Sequence, residues 1–491
     1  MNSIFNPEFL EKIKKSDIYI NLYHAKNYFS ADIAIKAIGF ISIPIFTRLL
    51  TQSEYGISSV FLSYVAIFTV LFSLNSYTAV GRYYFEKTED FEEFISTTFT
   101  LLVLIFSITI PIYLIFYSQL VSIMNLPKSL PLYIILSSFF SIIYSVYYQI
   151  LAAQQKSKDA AKISILYGYT GFVISVILTY LLSSDRYLGK IWSSLIIGLI
   201  FALYFLKKLS NSLKFSLKKE HIKYILSYSF PLIPYSLSSI ILAQFDRIMI
   251  NNISDSASAG IYSLGYTVGL LLSIVISATL TAMVPQVMDF FDKKEFSRMD
   301  SLLKRIFSIE TIAALGLILF GKELIIILAD EKFHIASDIV PIVVVGYLFY
   351  GMSTIYSLYI GYTKKMIYLS FSVLSAGIVN IILNLIFIPE YGYIAAAYTT
   401  TFSFFLMFIF NWITAKYILK QRTTPLWTIW KPTIIMFFLI SIAYFAIYMN
   451  LDYLFLLIIK IGIIFIFSLI VFFKESKTIY LNLIKSDKGK I

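Results

Sequence analysis

The residues best placed to do chemistry in this sequence are charged side chains set in otherwise apolar stretches. Asp246 and Arg247 lie near the far end of FPLIPYSLSSIILAQFDRIMINNISDSASAGIYS, residues 230–263. Asp32, Lys36 and Arg48 occupy an earlier apolar run, Lys322 and Glu323 a later one, and Lys460 stands alone near the C-terminus. A charge at the centre of a bilayer costs at least ~2.5–3.5 kcal/mol, so such residues hold a partner, face water, or serve a substrate or ion. The chemistry open to them is binding an anion or carrying an ion across an apolar barrier. Asp32 and Lys36 are spaced i, i+4 with the acid first and can pair on one helix face. Asp246 and Arg247 are adjacent, about 100° apart on a helix, so they cannot pair across one face. One of them should look into a cavity or towards another helix. Arg48, Arg247 and Lys460 have two readings, snorkelling to an interface or serving a site. Lys322 and Glu323 read as an interfacial pair.

Other chemistries find little support. His24, His221 and His334 are scattered with no metal-ligand spacing, there is no GxxxxGK[ST] phosphate loop, and there is no cysteine. The sequence therefore calls for no metal or cofactor and does not read as an enzyme. Work would have to come from an ion gradient, from the substrate's own concentration difference, or from a partner.

The elements that must position these charges are membrane helices. The chain has 491 residues, 58% of them hydrophobic and only 14% charged. That composition belongs to a polytopic membrane protein. Apolar windows of about twenty residues, long enough to cross a hydrocarbon core, predict helices over roughly 25–50, 55–79, 94–118, 130–153, 161–183, 188–206, 224–250, 259–285, 306–329, 338–361, 366–388, 392–415, 431–449 and 454–473. The formal charge of +12 comes from short basic clusters between these runs, which argues for positive-inside loops and against nucleic acid. With the N-terminus inside, thirty-one Lys and Arg fall in cytoplasmic segments and only Lys128, Arg186, Lys190 and Lys332 fall outside. No cleavable signal is visible in residues 1–24. Both termini are expected in the cytoplasm.

Internal repetition organises the helices further. Phe46-x-Arg48 followed by Gly56-Ile57-Ser58-Ser59 matches Phe245-x-Arg247 followed by Gly260-Ile261-Tyr262-Ser263, and Gly189-x-Ile191 matches Gly392-x-Ile394 more weakly. The expected organisation is a cytoplasmic segment 1–24, a six-helix lobe 25–206 and a basic linker 207–223. A second lobe at 224–415, appended helices within 431–473 and a cytoplasmic tail 474–491 complete it. Six helices per unit make the repeat parallel, about an axis along the membrane normal. Pro231 and Pro234 open helix 7 and remove two backbone hydrogen bonds, predicting a bend or broken turn. Asn380 and Asn384 form a polar stripe on helix 11 whose ordinary use is interhelical hydrogen bonding.

These residues carry a family resemblance. FPLIPYSLSS, FDRIMINN and AGIYSLGYTVGLLLSIVISATLTAMVP, with IFTRLLTQSEYGISSVFLSYVAIFTVLFS in the first half, resemble the Wzx-type oligosaccharide-repeat flippases of the multidrug/oligosaccharidyl-lipid/polysaccharide exporter superfamily. The resemblance implies a V-shaped, two-lobed, all-α transporter, working as a monomer in a bacterial inner membrane. Its substrate would be an undecaprenyl-pyrophosphate-linked oligosaccharide, precursor of O-antigen or capsule, and its pathway partners a polymerase and chain-length proteins. It also implies a cationic cavity, a role that would fall to Arg48 and Arg247, with Lys36 and Lys460 as lesser candidates. Asp32 or Asp246 would be the ion-coupling carboxylate, with Pro231 and Pro234 at the bend that moves. A drug/cation antiporter of the same superfamily is the nearest rival, although such exporters rely on acidic cavity residues. A membrane glycan polymerase or ligase would need a sizeable outer loop, and the predicted outer loops are short.

Overall fold

Where the backbone cannot hydrogen-bond to water, apolar stretches satisfy it internally as helices, and every long apolar run of this chain does so. The computed structural model describes residues 17–210, 213–449 and 451–488. Residues 1–16 of the expected N-terminal segment, 211–212 of the linker and 489–491 of the tail lie outside it. Fourteen helices among the described residues are long and apolar enough to cross a membrane. We label these spans α1 (Lys26–Leu49), α2 (Gln52–Ser73), α3 (Phe91–Ile115), α4 (Leu130–Ala153), α5 (Ser157–Leu181), α6 (Tyr187–Leu209) and α7 (Lys219–Ile253). There follow α8 (Ser256–Asp292), α9 (Phe296–Leu328), α10 (Val340–Tyr362), α11 (Ile367–Tyr391), α12 (Tyr393–Ile418), α13 (Leu426–Tyr448) and α14 (Tyr453–Val471). No strand occurs among the described residues.

The differences from expectation lie at helix ends. The second helix, predicted to reach residue 79, stops at Ser73. Leu74 and Asn75 take left-handed φ values of 49° and 57° there, and a separate helix runs from Ser76 to Glu86. The stretch after α3, predicted to be a loop, holds a short helix, Tyr117–Met124. α9 begins ten residues before the expected 306, because an amphipathic stretch extends it. α7 is continuous across both prolines, but not uniformly α-helical. A 3-10 turn occupies Phe230–Leu232, and a π-helical turn occupies Ile241–Phe245, immediately before Asp246.

The chain divides into two compact units. One holds the chain through Leu264 together with Gly377–Ala396, and the other holds Gly265–Ala376 and the chain from Ala397 onwards. In the first unit, Thr51 and Glu54 start α2 with a reciprocal capping box, which satisfies two orphan donors of the first turn. The same Glu54 accepts the Arg186 N–H at 2.7 Å, while the Arg186 guanidinium donates to the Leu49 carbonyl at 3.2 Å. Arg186 therefore ties the α1–α2 turn to the start of α6.

At the opposite end of this unit, His221 is buried. It bonds Asp90 at 3.0 Å and Thr97 at 3.1 Å beneath stacked Tyr83 and Phe94 rings. Burial pushes the Asp90 carboxyl up, but hydrogen bonds from His221 and Tyr83 outweigh it and hold the group below its usual range. In the second unit α9 is the central element, packed on α8, α10, α13 and α14. Asp300 fastens the connection between α12 and α13. It accepts from Thr424 at 2.7 Å and Arg422 at 3.1 Å, and Tyr359 donates or accepts at the Thr424 hydroxyl, 2.7 Å away.

The repeat motif has a packing consequence that its sequence does not reveal. Gly56 and Gly260, equivalent positions in the two halves, face each other where α2 crosses α8. A Cβ on Gly56 would run into the Ser256 carbonyl, and one on Gly260 into the Gln52 carbonyl. Small residues at a crossing let two membrane helices approach backbone to backbone. Gly56→Ala and Gly260→Ala should each lower the thermal unfolding midpoint of the detergent-solubilised protein, by an amount corresponding to about 1–3 kcal/mol. Gly39→Ala, with nothing within 4 Å of the added carbon, should leave the midpoint unchanged.

Candidate functional site

The π turn in α7 sets up the candidate site. A π turn places one more residue in the turn than an α-helix does and so rotates whatever follows it. Here it delivers Asp246 to the inside of the first unit, at 1% exposure. The carboxylate accepts from the Tyr262 hydroxyl at 2.5 Å and from the Asn384 amide at 2.7 Å, and the same amide lies 3.3 Å from the Asn380 side-chain oxygen. The polar stripe of α11 thus serves an interhelical bond to α7. A buried carboxylate needs such donors, since the charge costs several kcal/mol unless it is paired or hydrogen-bonded.

Arg247, the next residue, is partly buried and its guanidinium donates to the Ala243 carbonyl at 2.8 Å. Arg48 donates to the Pro44 carbonyl at 2.6 Å and is exposed. Both arginines bond the carbonyl four residues upstream on their own helix, one turn back. The two halves of the repeat therefore build one local device twice. Beyond Arg247, Asn251 and Asn125 exchange side-chain-to-backbone bonds at 3.1 Å, and Asn252 donates to the Ile123 carbonyl at 3.1 Å. These fix the far end of α7 against the short helix Tyr117–Met124.

The remaining candidates are placed elsewhere. Lys36 pairs with Asp32 at 2.8 Å on α1, as the spacing implies, with side-chain exposures of 25% and 46%. Lys460 of α14 is bonded to Glu323 of α9 in the second unit, and its ammonium lies 5.5 Å from the centre of the Phe320 ring. This corrects the expected Lys322–Glu323 pair: residues 322 and 323 diverge by about 100° on the helix, so Lys322 stays exposed while Glu323 turns inward. Pro231 lies within the 3-10 turn of α7, and Pro234 follows where the α-helix resumes.

Two polar groups escaped the sequence reading. Glu310 of α9 is fully buried, with one carboxyl oxygen accepting from Thr279 at 3.0 Å and the other without a partner. Gly351 makes room for it, because a Cβ there would stand 2.6 Å from that second oxygen. The signal was present, a lone glutamate inside an apolar window. Lys190, read as one of four outer-loop bases, instead lies 4.8 Å from the centres of both the Phe46 and Tyr55 rings.

Fourteen spans in this arrangement define a multi-pass membrane protein with the fold of the MOP-superfamily transporters. The structure of the lipid II flippase MurJ, in an inward closed conformation, superposes with a TM-score of 0.73 at 19% identity, covering 91% of this chain and 99% of that one. An inward-facing multidrug resistance MATE family transporter gives 0.61 at 12% identity, covering 82% and 99%. The chain belongs to the polysaccharide biosynthesis protein family, whose model matches residues 27–291. It is 26% identical over 274 residues to the Lsg locus putative protein 1 of Haemophilus influenzae, a match spanning 55% of this chain and 66% of that protein. The chain thus covers just under two thirds of the length of the curated relatives it matches.

The Lys460–Glu323 pair can be tested apart from transport. Removing one partner of a buried pair leaves an uncompensated charge and costs about 3–5 kcal/mol, whereas replacing both with apolar groups can be near neutral. Lys460→Met should therefore lower the unfolding midpoint sharply, and the double variant Lys460→Met/Glu323→Leu should recover most of the loss. An unchanged midpoint in the single variant would show that Glu323 does not depend on Lys460.

Proposed function

We propose that this protein is a flippase that moves an undecaprenyl-pyrophosphate-linked oligosaccharide repeat unit, an O-antigen or capsule precursor, from the cytoplasmic to the periplasmic leaflet of a bacterial inner membrane. Membership of the polysaccharide biosynthesis family, together with a flippase-like fold over nearly the whole chain, supports a lipid-linked saccharide as cargo. The observation that carries the reading to chemistry is the paired arginine device. Arg48 and Arg247 each rest on a helix carbonyl one turn back, in equivalent positions of the two repeats. A guanidinium presents five donors in a planar fork. In this reading that fork meets a phosphate or carboxylate of the cargo. Lys36, held by Asp32, is a weaker contributor, and Lys460 is committed to Glu323.

The conformational cycle in this proposal is alternating access, coupled to an ion at Asp246. The carboxylate already collects the Tyr262 hydroxyl and the Asn384 amide, and it sits directly after the π turn. Binding or losing a cation there would change the load on a helix whose hydrogen-bond ladder is interrupted at Pro231 and at Ile241–Phe245. Such interruptions are where a membrane helix changes shape. Both termini lie in the cytoplasm in this reading, which the distribution of Lys and Arg supports.

Complementation of a flippase-deficient strain carrying the matching glycan pathway tests the proposal. The wild-type chain should restore surface polysaccharide. Arg247→Ala should lose it at normal expression, and Arg247→Lys should retain part. Wild-type export by the alanine variant would leave Arg247 as an interfacial anchor. Failure of the wild type, with restored drug resistance in an efflux-deficient host, would make the chain a drug antiporter instead.

A further inference from the structure

Within the first unit, α1, α2, α4, α5 and α6 line a half-open cavity of about 540 Å³, within the range of small-molecule sites. Lys190 is the one charged residue among those lining it. Its ammonium is held between the Phe46 and Tyr55 rings. Ring faces stabilise the cation but accept no conventional hydrogen bond, and among the described residues no carboxylate is paired with it. An ammonium has only donors to offer.

Three serines of the wall present the opposite character. Ser42 donates to the Gly39 carbonyl at 2.7 Å, Ser193 to Gly171 at 2.9 Å and Ser194 to Ile191 at 2.7 Å. With its proton on a backbone carbonyl, each hydroxyl offers its oxygen as an acceptor, and the Ser194 oxygen also lies 3.2 Å from that of Ser137. Phe46 and Phe172, edge to face at 6.2 Å, add apolar ring surface.

We propose that this cavity binds an acidic saccharide unit, with the sugar's carboxylate on Lys190 and its hydroxyls donating to Ser42, Ser193 and Ser194. A neutral sugar would leave the ammonium without a counter-charge, and a cationic drug would be repelled by it. A bare lipid pyrophosphate would bring no hydroxyl donors to the serines. The ring carbons of a sugar suit the phenylalanine faces. This inference rests on the reading of the cargo as a glycan and narrows it to glycans containing a sugar acid.

The test is calorimetric titration of the full chain in lipid nanodiscs with a glucuronate-containing disaccharide and with its neutral glucose counterpart. The acidic disaccharide should bind about tenfold more tightly, a difference of about 1.4 kcal/mol. Lys190→Gln should reduce it to the neutral level, Lys190→Arg should keep the preference, and Ser194→Ala should weaken both sugars without removing the preference. Equal affinity for the two disaccharides, or an undiminished preference in Lys190→Gln, overturns the proposal while a wild-type chain that exports glycan keeps the flippase reading. Acidic-sugar binding by a chain that exports no glycan overturns the flippase reading and leaves the cavity a sugar-acid site.

Discussion

Burying a carboxylate away from water is the constraint that the first unit is built around. Asp246 can sit at 1% exposure only because donors reach it from two other helices, Tyr262 of α8 and Asn384 of α11. Those donors come from 16 and 138 residues away, so the requirement of one side chain recruits part of α11 into a unit otherwise made of the first half of the chain. The π turn before Asp246 fits the same requirement. Without the extra residue in that turn, the carboxylate would be rotated off the direction from which its donors come.

The neighbouring arginine follows a different rule. A guanidinium reaches further than a carboxylate and carries more donors, so it can satisfy part of itself on its own helix and still present a fork outward. Arg48 and Arg247 each bond the carbonyl four residues back with the same spacing. The lysines show what happens otherwise. Lys460 is neutralised by Glu323, Lys36 by Asp32, and Lys190 is embraced by aromatic rings. Five basic side chains in apolar helices have thus reached three kinds of settlement, and only local geometry separates them.

Much of this architecture was legible in the sequence. The number of spans followed from run length, because a bilayer fixes how many apolar residues a helix needs. The Asp32–Lys36 pair followed from i, i+4 spacing, and the 3-10 turn of α7 falls on Pro231, since both effects are local. The end of α2 was misplaced because nothing in the apolarity of residues 74–79 announces two left-handed residues. Glu310 is hard to single out in the sequence because one acid barely lowers the hydropathy of its window. Lys190 was counted with the outer loops because it stands four residues from Arg186 at the start of a helix, and only the packing of Phe46 and Tyr55 around it shows that it faces inward.

The sequence by itself determined a fourteen-span membrane protein with a repeated arginine motif and the family those motifs define. Apolar run length, charge asymmetry and repeat spacing are properties of the chain read in one dimension. Tertiary structure alone decided which charges are partnered and by whom. Tyr262 and Asn384 meet Asp246, Glu323 meets Lys460 and Gly56 meets Gly260 through helix crossings whose members are distant in sequence. A rotation of one residue, such as the π turn supplies, is enough to change every one of an α-helix's downstream contacts. That is why the chemistry of this protein is carried by side chains the sequence displays but cannot pair.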